Sequence, residues 1–183
     1  VERYRVLDTH VASRVTFDRV RLDSGSLLGE LGGGQAILEH ILDAARIGAA
    51  AEMLGLAREA FERTLDYLKE RKQFGVPIGS FQALQHRAAH LFSELEMCRS
   101  LLLKALQDLD GDGSGNAELA SMAKAKIGET ARTATQEAIQ MHGGIGMTDD
   151  FDIGFYLKRC QVLDSLYGDR YFHLDRYARA RGY

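Results

Sequence analysis

Arg71-Lys72-Gln73-Phe74-Gly75-Val76-Pro77-Ile78 separates two long helical patterns and so sets where the first helix ends and the second begins. Glycine readily adopts the left-handed backbone conformation that ends a helix, and proline lacks the N–H that would continue the hydrogen bonds of the helix. The first helix is therefore predicted from Gln35 to about Lys72. Ser80 is predicted to cap the second helix, which runs to about Leu109.

Apolar residues recur every three or four positions through most of the chain, as is typical of amphipathic helices. A third helix is predicted over 117–141, and one or two shorter helices, interrupted near Gly168, over 151–181. Residues 3–22 alternate weakly, which indicates strands. The sequence predicts an all-α, antiparallel up-down four-helix bundle with a short β-strand remnant at its N-terminus. The predicted buried face of the third helix comprises Ala120, Ala123, Ile127, Ala131, Ala134, Ala138 and Met141.

The composition narrows the possible partners. A formal net charge of −3 over 183 residues gives no electrostatic reason to expect nucleic acid. The apolar stretch 47–57 is too short to cross a membrane and contains Glu52, so no membrane span is predicted. Cys98 and Cys160 lie in apolar helical patterns, which predicts buried thiols in a reducing compartment, the cytoplasm.

The two ends of the chain give further expectations. The basic tail of Arg176, Arg179 and Arg181 is predicted to be a solvated helix end, where cations suit the helix dipole. The chain starts with Val1 rather than methionine, within a strand-like segment, and is therefore expected to be a fragment of a longer protein.

One loop favours a different class of protein, a non-enzymatic helical module that binds calcium through residues 108–119. Acidic and glycine residues there follow the spacing of an EF-hand loop, but Leu119 stands where that loop needs a bidentate glutamate. The motif lacks its strongest ligand, so no metal site is predicted and calcium remains the alternative. The matching positions are Asp108, Asp110, Asp112, Gly113 and Asn116.

Two helix ends carry residue types that suit a phosphate-bearing cofactor. Arg71 supplies a permanent cation that can pair with a phosphate, and Phe74 offers a flat face to a flavin or adenine ring. Gln82 is predicted on the first turn of the next helix, within reach of the same hairpin. Far downstream, the run 140–146 ends the third helix in a cluster of glycines.

These two motifs, Arg71-x-x-Phe74-Gly75-x-Pro77-Ile78-x-x-Phe81-Gln82 and Gln140-x-His142-Gly143-Gly144-x-Gly146, resemble the C-terminal domain of the acyl-CoA dehydrogenases. The resemblance covers essentially the whole chain. It implies that residues 1–30 are a remnant of the family's middle β-domain and that residues 31–183 form the C-terminal helical bundle. The N-terminal helical domain and most of the β-domain would then lie outside this chain.

The resemblance also implies the chemistry. The family uses FAD to oxidise acyl-CoA thioesters to the trans-2-enoyl form and passes electrons to electron-transferring flavoprotein. Asp43 and Arg46 match the helix segment that lines the acyl-CoA pocket. A homodimer or homotetramer is implied, because the family's matching groups reach the FAD of a neighbouring subunit. The residues implied to contact FAD are Arg71, Phe74, Gln82, Gln140, His142, Gly143 and Gly144.

The chain departs from the family at the catalytic base. The family's glutamate usually follows a tyrosine, but here Gly168 follows Tyr167, and the other known position holds Ala45. Asp169, one residue further on, is one candidate for the base. A second interpretation is a non-catalytic subunit of a heteromeric dehydrogenase whose partner, a glutamate-bearing paralogue, supplies the base. A third is a flavin-dependent relative that has changed its reaction.

Overall fold

The N-terminal segment forms one hairpin. The computed structural model describes residues 1–111 and 116–183. Strands β1 (Glu2–Arg5) and β2 (Val11–Arg14) pair antiparallel, with Glu2 opposite Arg14. The strand pattern predicted to continue to residue 22 is wrong beyond β2, because residues 15–22 form no strand. A strand needs a partner for its backbone groups, and β2 pairs only with β1 in the described part of the chain.

Helix α1 (Gly34–Glu70) begins directly after two glycines and ends two residues before the predicted boundary. Its end is set by a second hairpin, in which β3 (Lys72–Gln73) pairs with β4 (Val76–Pro77). Phe74 and Gly75 form the tip, with φ of 54° and 83°. Positive φ at both central residues is the geometry of a type I′ hairpin turn, and it is unusual for phenylalanine.

The predicted cap of the second helix is wrong. Residues Ile78–Ser80 form a short 3-10 turn, and α2 (Gln82–Asp110) begins after Phe81, which makes no side-chain cap hydrogen bond. The Ser80 hydroxyl donates instead to the Pro77 carbonyl at 2.7 Å. The 3-10 turn places Ser80 before the helix start, where its oxygen serves the turn.

The helices form the predicted bundle. Helix α3 (Asn116–His142) runs parallel to α1, because Tyr67 near the end of α1 stacks on His142 at the end of α3, with ring centroids 4.4 Å apart. Helix α2 runs the other way, and its early residue Arg87 pairs with Glu137 late in α3 at 2.5 Å. The predicted face of α3 is confirmed, since all seven of its apolar residues are buried. Their small side chains let α1 approach closely.

Two shorter helices complete the bundle, as predicted. Helix α4 (Ile153–Ser165) and helix α5 (Arg170–Ala180) are separated by a loop, 166–169, in which Tyr167 and Gly168 have φ of 60° and 106°. Both cysteines are buried and free, as predicted. Within the described residues, none of the helices is long and apolar enough to span a bilayer.

Candidate functional site

The two predicted cofactor motifs lie at the same end of the bundle, here called the hairpin end. Helix α1 leads into the hairpin at 71–77, and α3 leads into a 3-10 turn, Gly143–Met147. The stack of Tyr67 on His142 fixes these two helix ends side by side. Residues that lie far apart in sequence are therefore brought to the same end of the bundle.

The hairpin half of this surface is open. Phe74 is 92% exposed, and its ring meets that of Phe81 edge to face at 6.1 Å. Arg71 directly follows Glu70, the last residue of α1. Its backbone carbonyl accepts a hydrogen bond from Ile78 N–H at 2.8 Å, which closes the hairpin. The Arg71 side chain is exposed, as is that of Gln82, and its guanidinium has no ion pair with any residue that the structure describes.

The glycine half is partly open. Gly143 and Gly144 have empty space where a side chain would start, and Gln140 is exposed. His142 differs from its neighbours, because its ring is buried against Tyr67 and Phe151. Its Nδ1 lies 2.7 Å from the Ala138 carbonyl, and burial lowers its pKa. The imidazole therefore packs the core, and a contact between His142 and FAD stays a prediction.

The predicted substrate residues lie at the other end, here called the ionic end. Arg46 is 3% exposed and donates to Asp43 at 2.7 Å and to Glu39 at 3.1 Å. Arg176 on α5 binds both carboxylate oxygens of Asp43, at 2.7 and 2.9 Å. From Arg46 to Tyr67 a straight helix rises about 31 Å, so the two ends cannot contact one small group.

A loop beside the ionic end contains Gly168, at the family's usual position of the base, and Asp169, the predicted candidate. Arg46 Nε donates to the Tyr167 carbonyl at 3.1 Å, and the fully buried Lys124 donates to the Gly168 carbonyl at 3.1 Å. Asp169 caps α5 by accepting from Phe172 N–H at 2.9 Å. This contact gives Asp169 a role in the fold, and its role as a base stays a prediction.

A family model described as "Acyl-CoA dehydrogenase, C-terminal domain" matches residues 32–181. The chain belongs to the acyl-CoA dehydrogenase family. The bovine mitochondrial short/branched chain specific acyl-CoA dehydrogenase is 38% identical over 148 residues, which cover 81% of this chain and 34% of the relative. This member of the family therefore spans about a third of the length of that relative.

Solved structures agree with this assignment. A chain in the structure described as an electron-transferring flavoprotein of Acidaminococcus fermentans aligns with a TM-score of 0.93 and 31% identity, over 100% of this chain and 48% of that chain. A variant of the Tcur3481-Tcur3483 steroid ACAD aligns with a TM-score of 0.85 and 31% identity, over 99% of this chain and 48% of that chain. The fold of this chain therefore agrees with its assignment to the acyl-CoA dehydrogenase family.

The sequence did not predict the buried contacts of three residues of this acyl-CoA dehydrogenase domain. Arg176 was predicted to be solvated, but it pairs with buried Asp43, so that part of the tail prediction is wrong. Lys124 and His173 are fully buried. A signal existed for Lys124, because it follows Ala120 by four positions on the apolar face of α3. For His173 and Arg176 the partners come from other helices, which local sequence does not reveal.

No group of three or more metal-ligating side chains occurs among residues 1–111 and 116–183. The calcium alternative lies partly outside the described residues, since it needs Asp112 and Gly113. The thiols are buried rather than activated, because burial raises the pKa of Cys160 to about 12 and raises that of Cys98.

Proposed function

We propose that this chain is the helical part of an FAD-dependent acyl-CoA dehydrogenase, which oxidises an acyl-CoA thioester to its trans-2-enoyl form. The observation that carries the proposal is that the helix ends leading to the hairpin and to the glycine turn lie side by side at one end of the bundle. We also propose that residues 1–30 belong to a middle β-domain and that residues 31–183 form the helical domain. The hairpin of β1 and β2 lies in the proposed remnant.

The hairpin end has the properties that a dinucleotide needs. Arg71 offers an exposed guanidinium for a phosphate, and Phe74 offers an exposed ring face. Gly143 and Gly144 carry no side chain and have no atom within 4 Å of where a Cβ would lie, so a ligand can approach their backbone closely. Gln82, Gln140 and the backbone of His142 border the same end. These residues would hold FAD, which accepts a hydride from the substrate when it is bound.

The distance between the two ends supports a shared assembly. About 31 Å of α1 separates Arg46 from the hairpin end, so one protomer's ionic end and hairpin end serve different flavins in this proposal. Arg46 and Asp43 would line an acyl-CoA pocket with one FAD, while Arg71 would hold the FAD of a neighbour. The proposed assembly is a homodimer or homotetramer, or a heteromer with a glutamate-bearing paralogue.

The origin of the base favours the heteromer. Gly168 has no side chain, Ala45 has no carboxylate, and one Asp169 oxygen accepts the capping bond from Phe172. The similar Tcur3481-Tcur3483 steroid ACAD is described by two names, which suits an enzyme assembled from two chains. We therefore propose that a partner subunit supplies the carboxylate that removes the α-proton.

Two further features complete the proposal. Electrons would leave through electron-transferring flavoprotein, since a chain of this fold occurs in the structure described by that name. The cytoplasm is the proposed compartment, because two free buried thiols suit a reducing environment.

The proposal is tested on the natural oligomer, purified with FAD and mixed anaerobically with acyl-CoA. The flavin should lose its visible absorption when the substrate reduces it. Asp169→Asn should leave the reduction rate within about two-fold, because asparagine still caps α5 and the base lies elsewhere. A loss of more than about 100-fold with flavin still bound would place the base at Asp169. A protein that takes up no FAD would refute the proposed function itself.

A further inference from the structure

The loop 166–169 is held by two buried cations that bond to its backbone. Lys124 Nζ donates to the carbonyls of Asp164 at 2.8 Å and Gly168 at 3.1 Å. Arg46 Nε donates to the carbonyl between them in the loop, that of Tyr167, at 3.1 Å. Three successive bonds from two different helices thus fix the path of the chain from the end of α4 to the start of α5.

The burial of Lys124 needs an explanation. An ammonium group with no exposed surface is costly unless its hydrogen bonds are satisfied. Here its two hydrogen bonds go to backbone carbonyls of the α4 end and the loop. Burial lowers its pKa to about 8, while the carboxylates of Asp164 and Asp169 oppose that effect. The ammonium group of Lys124 therefore binds the end of α4 and the loop to α3.

In this conformation of the loop a side chain at position 168 would overlap the ring of Phe172. A Cβ atom on Gly168 would lie 2.3 Å from Cδ1 of Phe172, and φ at this residue is +106°. The Phe172 ring is 47% exposed, and the guanidinium carbon of Arg46 lies 5.6 Å from its centroid. Asp169 binds the Phe172 backbone N–H, which fixes the first turn of α5 beside Gly168.

We propose that Lys124 is the positioning residue of the 166–169 loop, and that it holds the loop in a form in which Phe172 fills the place of a side chain at position 168. One consequence of this inference rests on the proposed function. A glutamate base at position 168 cannot be restored by substituting Gly168 alone. The contacts themselves depend on neither flavin nor substrate.

The first experiment is a double-mutant cycle between Gly168 and Phe172, measured as the thermal midpoint of the full chain. Gly168→Ala should lower the midpoint by about 5 °C or more, because the new methyl group meets the ring. In the Phe172→Ala background the same change should cost no more than Gly75→Ala, a control with φ of +83° and no atom near its Cβ. Equal costs of Gly168→Ala in both backgrounds would overturn the proposal.

The second experiment tests Lys124 by hydrogen exchange of the full chain. Lys124→Met should speed exchange of the 165–169 amides by at least about ten-fold and leave residues 90–100 of α2 unchanged, because only the loop loses its bonds. The matched control is Lys126→Met, which removes a cation of the same helix that pairs with Glu94 instead. It should leave the loop amides unchanged.

Other outcomes of this exchange experiment decide against the proposal. Unchanged loop exchange in Lys124→Met, or equal acceleration along the whole chain, would show that Lys124 has no specific hold on the loop. If Lys124→Met does not fold, Lys124→Gln, which keeps an N–H donor, should give a smaller rise confined to the same segment. None of these measurements uses FAD or acyl-CoA, so they fail or succeed independently of the proposed function.

Discussion

His173 illustrates how much a single buried residue contributes to the pH dependence of this domain. It lies on α5 with no exposed surface, and its ring meets Phe172 edge to face at 5.0 Å. Burial lowers its pKa to about 4, and the nearby cations Lys124, Arg46 and Arg176 act in the same direction. In the folded chain this imidazole is therefore neutral at pH 7.

The shift predicts a loss of stability in mild acid. Between pH 6.5 and about 4 the unfolded chain binds a proton at His173 and the folded chain does not, so the free energy of unfolding falls as pH falls. This residue should account for up to about 3 kcal/mol across that window. Urea unfolding at several pH values measures it. His173→Gln should flatten the slope, whereas exposed His40→Gln should not, and equal slopes in all three proteins would contradict the prediction.

At the scale of elements, the sequence predicts what local periodicity controls. The apolar face of α3 repeats every three or four residues, and the structure buries all of it. The end of α1 follows from Gly75 and Pro77, within two residues. Local sequence wrongly predicts Ser80 as a helix cap, because the 3-10 turn directs its hydroxyl to the Pro77 carbonyl. This turn packs against α1, where a Cβ atom on Gly79 would lie about 3 Å from backbone atoms of Leu68.

The candidate site was predictable to a similar degree. The residues at the hairpin end follow from motifs, and the structure brings their helix ends together. The ring of His142 is buried, because the neighbouring rings of Tyr67 and Phe151 come from other segments. The ionic end depends in the same way on Arg176, whose partner Asp43 lies far from it in the sequence. Such pairings arise only when distant helices pack.

The glycine turn after α3 permits a prediction that separates packing from binding. A Cβ on Gly146 would lie 2.7 Å from the Ile139 carbonyl oxygen, whereas one on Gly144 would meet no atom within 4 Å. Gly146→Ala should therefore cost about 1–3 kcal/mol in urea unfolding, and Gly144→Ala should stay within about 0.5 kcal/mol. If Gly144 faces FAD as proposed, Gly144→Ala should weaken FAD binding in the natural oligomer without this loss of stability. Equal stability costs at the two glycines would refute the packing argument.

At the scale of the whole molecule, the separation of the two ends determines how protomers must cooperate. Arg46 lies in the first half of α1, and the helix rises about 36 Å from it to Glu70, which leads to Arg71. If the neighbour is a second copy of this chain, and each flavin site combines the ionic end of one protomer with the hairpin end of the other, a defect at either end damages a different site. In a symmetric dimer every such interface is formed twice, so the two defects can be separated by mixing.

Mixing two variants therefore tests the shared site. Arg71→Ala damages only the hairpin end, and Arg46→Gln damages only the ionic end, where Arg176 still binds both oxygens of Asp43. Each variant oligomer alone should show little reduction of its flavin by acyl-CoA. After co-refolding in equal amounts, half of the dimers carry one of each, and one of their two sites contains neither change, so roughly a quarter of the wild-type signal should return. Lys72→Ala mixed with Arg46→Gln is the matched control for loss of a neighbouring cation, and it should behave as a simple mixture with wild-type protein. No recovery in the Arg71→Ala and Arg46→Gln mixture would mean that both ends serve the flavin of a single protomer, or that the neighbour is a different chain. Full activity of either variant alone would mean that the end it changes does not serve the flavin.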